Sequence, residues 1–252
     1  MNSLWLDFLG AVQFMPRVPV PSFAHRADSL PRATKFFPLV GLLAGGSAAL
    51  VHALLVPHVP RLTAALLTVT FLVFLTGCFH EDGLADAADG FGGGWTRDRV
   101  LSIMRDSRIG SYGAAAMVLS LGGRILLIAS LPLQRVGVYL IAAHVLCRWT
   151  TLPLSYFLAP AREDDADRPG LGAQVARLTS PSTLLFGSLF SLFAVTALLR
   201  VQAIPAVIAA LCITLLSGLY YCRRIQGVTG DCFGATNQIT EIFVYVCGVW
   251  TA

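Results

Sequence analysis

"GCFHEDGLADAADGFGGG", residues 77–94, interrupts an otherwise greasy chain. It follows the apolar run "LTAALLTVTFLVFLT" of residues 62–76 and sets His80, Glu81, Asp82, Asp86 and Asp89 within ten positions before ending in glycines. Its surroundings decide the fold. The 252-residue chain is 56% hydrophobic and 13% charged, with a mean hydropathy of +0.71. Soluble domains carry about 25% charged residues. So little polar surface cannot cover a globule in water, and backbone groups in lipid are satisfied by helices or closed barrels. The apolar runs are of helical length, which predicts an all-α, polytopic integral membrane protein with one membrane-embedded domain over residues 1–252.

A membrane helix needs about 20 apolar residues. Spans are expected at 36–56, 62–79, 111–131, 136–158, 183–199, 204–221 and 239–250, about seven in all, the last short and carrying Glu241. Residues 4–15 are too short to span and read as an interfacial helix before the extended "PRVPVP". Basic residues fall between these spans in the series 4, 1, 4, 1, 3, 1, 2, with Arg124 and Arg148 inside spans. By the positive-inside rule this predicts a cytoplasmic N-terminus, with the long loops and the acidic stretch on the cytoplasmic face. No secretory signal is expected, since a basic n-region and a cleavage site are missing. No basic run suggests a nucleic-acid partner. The six scattered cysteines form no C-x-x-C pair and read as small buried hydrophobes.

At 100° per residue, Asp82, Asp86 and Asp89 fall at about 0°, 40° and 340°, one narrow stripe of a helix. That helix reads as an extension of the second span, ended by Gly90 and Gly92–Gly94. Like charges four apart destabilise a helix by a few tenths of a kcal/mol, so the stripe calls for a cation. Arg97, Arg99, Arg105 and Arg108 folding back would be a bland answer. A divalent metal is the sharper one, and oxygen-only ligands favour Mg2+ or Mn2+ over Zn2+. Six of the fourteen acids lie between residues 81 and 106. In a chain that avoids charge, that concentration points to function.

Two further polar blocks stand out. "RDSRIGSYG" (105–113) offers Arg105, Asp106 and Arg108 as a phosphate clamp or, more simply, a cytoplasmic anchor. "TGDCFGATNQITE" (229–241) sets Asp231 in a glycine turn and carries Asn237, Gln238 and Glu241 into the last span. His144 and Arg148 share a face of the fourth span, and a buried arginine needs an anion, an acid of the cluster or a ligand phosphate. His52 and Arg124, lone polar residues in spans, are given structural roles. "EDDADRPG" (163–170) reads as a solvated loop.

"HEDGLADAADGFGGG" resembles the H-x-D-G-L-A-D-x-x-D signature of the cobalamin synthase (adenosylcobinamide-GDP ribazoletransferase) family. "MRDSRIGSYG", "TGDCFGATNQITE", "FMPRVPVP" and "FFPLVGLLAG" are similar to its other blocks, in family order and over nearly the whole chain. Two departures are small: Pro16 stands where Thr is common, and Glu81 where an apolar residue is usual. The resemblance implies a transferase of the bacterial inner membrane in cobalamin biosynthesis. It joins adenosylcobinamide-GDP to α-ribazole or its 5′-phosphate, with Mg2+, and releases GMP. On this expectation Asp82, Asp86 and Asp89 hold metal, with Asp106 or Asp231 completing the shell. Arg105 and Arg108 neutralise the departing GMP, and His80, or failing it Glu81, is the general base. Arg148, Asn237 and Glu241 contact substrate. A homo-oligomer or association with other corrinoid enzymes is compatible with the sequence.

Two rivals remain. A CDP-alcohol phosphotransferase would place an alanine–arginine pair soon after the first D-G, whereas here the next arginine is Arg97. An ion-coupled transporter would carry its carboxylates near the bilayer midplane in two matching halves, and no repeat is visible. A purely structural subunit leaves the stripe unexplained.

Overall fold

The computed structural model describes residues 3–14, 32–162 and 179–251. "PRVPVP" and "EDDADRPG" lie outside these. Among the described residues the regular elements are helices: α1 (Ser3–Phe14), α2 (Phe37–Leu55), α3 (Arg61–Thr76), α4 (Phe79–Gly93), α5 (Arg97–Ile103), α6 (Ser111–Ser130), α7 (Val136–Trp149), α8 (Thr151–Phe157), α9 (Pro181–Leu199), α10 (Ala203–Ile225) and α11 (Gly230–Trp250). Three stretches are long and apolar enough to cross a membrane: 34–55, 111–130 and 181–225. A fourth is counted if α3 and α4 are one bent span. Arg200, at φ 54°, breaks the 45-residue stretch 181–225 into α9 and α10.

The expected continuation of α3 into the acidic helix is corrected. Gly77 (φ 65°) and Cys78 (φ 62°) both adopt left-handed backbone, and α4 leaves α3 at 88°. Glycine accepts this conformation freely, while Cys78 carries a side chain that disfavours it. With four carboxylates in fifteen residues, α4 is a separate polar helix rather than the end of an apolar crossing.

α2 packs most extensively on α7, through a small-residue face of Gly41, Ala44, Gly45 and Ala48. A Cβ on Gly45 would lie 2.7 Å from the Ile141 Cα, and one on Gly41 would collide with the His144 carbonyl. Without a hydrophobic drive between helices in lipid, such close backbone approach supplies the packing. α11 lies at the centre, against α4, α6, α7 and α10. It begins at Gly230, nine residues before the expected span. Asp231 therefore sits in its first turn, capped by the Thr229 hydroxyl, rather than in a glycine turn. α1 covers most of the expected interfacial segment. Its Asp7 is buried and paired with Lys35 (2.9 Å) and Arg32 (3.3 Å).

Two apolar cores result. One includes Ala48, Val69, Leu72, Ile128, Tyr139, Leu140, Val195, Val244 and Tyr245. The other includes Phe37, Leu84, Val100, Met104, Tyr221, Ile225 and Phe233. Along α11, Asn237, Gln238 and Glu241 fall between the positions belonging to these cores, which marks a buried polar layer.

Candidate active site

The polar layer is organised by Arg124. Its guanidinium, 1% exposed, donates to Glu81 Oε1 at 2.7 Å and to Glu241 Oε2 at 3.3 Å, joining α6, α4 and α11. Gln238 accepts from the Ser120 hydroxyl at 2.9 Å, and Tyr245 donates to Glu241 Oε1 at 3.1 Å. His144 Nε2 lies 3.7 Å from the same Glu241 oxygen. Arg148, also 1% exposed, meets His144 Nδ1 at 2.9 Å but has no carboxylate within ion-pair distance among the described residues. The sequence alone presents Arg124 as a lone structural residue, whereas the structure makes it the hub of this layer. An arginine inside one span with glutamates at the ends of two other apolar runs was the available signal. For Arg124 the two glutamates offset the cost of burying its charge.

His80 and Glu81 belong to this layer. They are 4% and 2% exposed, and the charges acting on His80 come from Arg148, His144 and Arg124 rather than from the aspartates. At about 160° on the α4 wheel His80 lies behind the stripe, while Glu81, at about 260°, lies on its flank and turns towards Arg124.

The stripe itself divides into two kinds of carboxylate. Asp89 is buried and accepts the backbone N–H of Gly110 (2.7 Å) and of Gly113 (2.8 Å). It thus caps the start of α6 from another helix, with its negative charge at the positive end of the helix dipole. The close approach requires glycines, since a Cβ on either would run into the carboxylate. Asp82 is exposed and Asp86 half-buried. Burial, then the charges of Asp231, Asp82 and Asp89, push the Asp86 carboxyl up to about 7. Burial likewise raises Asp231. Asp82, Asp86 and Asp231 are therefore close enough to repel one another.

The packing that brings Asp231 to the stripe is a glycine contact. A Cβ on Gly83 of α4 would lie 3.2 Å from the Asp231 Cα and 3.2 Å from the Gly234 Cα. The three polar blocks of the sequence thus converge on α4, the second through Asp89 and the third through Gly83 and Gly234. Asp106 does not join the acids by any recorded contact. It pairs with Arg108 at 2.6 Å on the surface, and those contacts lower it to about 2. Arg105 is exposed.

None of Arg97, Arg99, Arg105 and Arg108 forms an ion pair with Asp82, Asp86 or Asp89 among the described residues. Arg97 instead donates to the carbonyls of Ile225 (3.1 Å) and Ala161 (2.6 Å). The cation that meets the acids is Arg162, 3.3 Å from Asp231. Sequence reasoning missed it because it stands at the edge of an acid-rich loop and carries no motif. Among the described residues no group of three or more His, Cys, Asp or Glu side chains is placed to hold a metal ion.

Comparison with known proteins gives this arrangement a family. Residues 7–249 match the family model described as cobalamin-5-phosphate synthase. The adenosylcobinamide-GDP ribazoletransferase of Ralstonia nicotianae is 38% identical, covering 100% of this chain and 96% of the relative. That of Shewanella frigidimarina is 39% identical (95% and 92%), and that of Vibrio cholerae strain O395 is 38% identical (95% and 91%). No solved structure matches significantly. The chain belongs to the cobalamin-5-phosphate synthase family.

Proposed function

We propose that this transferase of cobalamin biosynthesis joins adenosylcobinamide-GDP to α-ribazole, or to its 5′-phosphate, forming adenosylcobalamin or its 5′-phosphate and releasing GMP. The activity named for relatives of full-length similarity supports the reaction. The observation that carries the site is the docking of both other polar blocks onto α4, which gathers Asp82, Asp86 and Asp231 with one cation among them.

That donor set fits a hard divalent ion. Three carboxylates in repulsion favour a compensating cation. Mg2+ usually takes one or two carboxylates and fills its shell with water and phosphate, so no closed cage is needed. Asp86 and Asp231 would hold Mg2+, or Mn2+ in its place, with Asp82 beside them. When bound, the ion would neutralise charge on the substrate diphosphate. Asp89 keeps α6 and its preceding loop against the site, and Asp106 holds Arg108 in place.

In the reaction, the ribazole hydroxyl oxygen bonds to the phosphorus nearest cobinamide. The bond from that phosphorus to the bridging oxygen breaks, and GMP leaves with that oxygen. Such transfer is mostly positioning and charge neutralisation. Arg105 and Arg108, exposed at the rim, meet the charge on GMP. The hydroxyl proton passes to His80 or Glu81 only if the first turn of α4 opens, since both are enclosed. Arg148, Asn237 and Glu241 are buried, so they would reach substrate only if the polar layer opens.

The alternating arginines support about seven crossings of the bacterial inner membrane, with the N-terminus and the site at the cytoplasmic face. Purified protein with adenosylcobinamide-GDP, α-ribazole and Mg2+ should release GMP. Asp86→Asn should abolish release while the protein stays folded in the membrane. No GMP from the wild type refutes the reaction. Wild-type turnover by Asp86→Asn refutes the metal assignment.

A further inference from the structure

We propose that Arg162 is a handover cation: it neutralises Asp231 while the acids are free of metal, and grips the diphosphate of the substrate once they hold it. This rests on the metal assignment above.

The placement of Arg162 is built. Pro160, two residues before Arg162, forms an isolated parallel bridge with Val228 in the segment leading into α11. Val228 N–H donates to the Ala159 carbonyl at 2.9 Å, and Ala161 N–H to the Val228 carbonyl at 2.9 Å. Arg97 clamps the same segment through the Ala161 carbonyl at 2.6 Å. Gly227 permits the approach, since a Cβ there would lie 2.5 Å from the Ala159 carbonyl oxygen. Three contacts thus fix the backbone of Arg162 beside the first turn of α11, where Asp231 projects.

The side chain, by contrast, is under-used. A guanidinium carries five N–H donors in a planar fork. Among the described residues Arg162 makes a single side-chain contact, Nη2 to Asp231 Oδ2 at 3.3 Å, and its Nε is enclosed with no acceptor. One long, single-pronged hydrogen bond is weak for a pair that could be bidentate. A carboxylate engaged by a divalent ion loses most of its attraction for a neighbouring cation. The fork is then released beside the ion, with unpaired donors. Paired phosphate oxygens match that geometry, and the substrate diphosphate is the group the ion would hold there.

The handover makes a prediction of unusual sign. A cation that competes with metal weakens metal binding, so its removal should tighten it. Mn2+ affinity of the purified protein without substrate, read by electron paramagnetic resonance, should rise about 5-fold in Arg162→Gln, the scale of one partly exposed ion pair. The KM for adenosylcobinamide-GDP should rise about 10-fold or more, with the KM for α-ribazole unchanged. Arg162→Lys keeps the charge but not the fork. It should restore wild-type Mn2+ affinity and leave the KM raised. A merely structural Arg162 would place Asp231, and its loss would weaken Mn2+ binding. That result, or an unchanged KM, overturns the proposal. If the wild type binds no Mn2+, the metal assignment falls and the handover with it. If the wild type binds and Arg162→Gln binds no tighter, only the handover falls. Thermal unfolding of each variant separates these outcomes from misfolding.

Discussion

Removing the Arg124 guanidinium should damage the protein more than removing any surface charge. Arg124→Met keeps most of the apolar stem and leaves Glu81 and Glu241, 2% and 1% exposed, facing each other without a cation. At an effective dielectric of about 20, each attraction at these distances is about 5–6 kcal/mol gross, most of it offset by desolvation. Breaking a buried pair from one side nevertheless costs about 3–5 kcal/mol, because the orphaned charge stays behind. For a chain of this size that corresponds to a fall in Tm of about 6–20 °C. Glu81→Gln/Arg124→Met/Glu241→Gln removes the orphans and should recover much of the loss. The measurement is thermal unfolding in detergent, arranged as a mutant cycle so that the coupling is isolated. A single variant within 1 kcal/mol of wild type, or a triple variant equal to the sum of its parts, refutes Arg124 as the organiser of the polar layer.

Other expectations follow from named contacts. In the metal-free protein Asp86 holds its proton up to about 7, while in the unfolded chain it titrates near 4. Below pH 4 both states are protonated. Between 4 and 7 only the unfolded chain has lost the proton, so this group makes stability fall as pH rises through that window. The wild-type and Asp86→Asn stability profiles should diverge there, and parallel profiles would contradict the assignment. Gly41→Ala should cost about 3 kcal/mol or more, because the methyl group meets backbone that cannot yield. Gly46→Ala, with open space around it, should unfold at the wild-type temperature or above. Asp89→Ala should lower Tm by about 4–12 °C through loss of two charge-assisted bonds, about 2–3 kcal/mol. An unaltered Tm would show that the cap is dispensable.

Most of the architecture was legible because it follows from one-dimensional signals. Apolar runs gave helices of nearly the observed extents, and the three polar blocks announced themselves by charge in lipid-like surroundings. The bend at Gly77 and Cys78 was not legible, since one glycine inside an apolar-to-polar transition does not fix a chain direction. The early start of α11 was hidden by its glycines, which suggest a turn but here let α4 approach closely. Pairings between distant segments were the hardest. Glu81 reads from the sequence as a neighbour of the stripe and an alternative base, yet its place on the helix turns it towards Arg124. Arg162 reaches Asp231 only through the backbone bridge between Ala161 and Val228, which no pattern in either segment foretells.

The capping of α6 by Asp89 changes how the acidic signature should be interrogated genetically. A loss-of-function screen scored only on product would return Asp86 and Asp89 as equals. A second readout of protein abundance would part them, with Asp89 variants depleted and Asp86 variants inert but plentiful. The cap also gives α6 a tether to the very helix that carries the acids. Any displacement of α4 would therefore carry the start of α6, and the loop that precedes it, along with it.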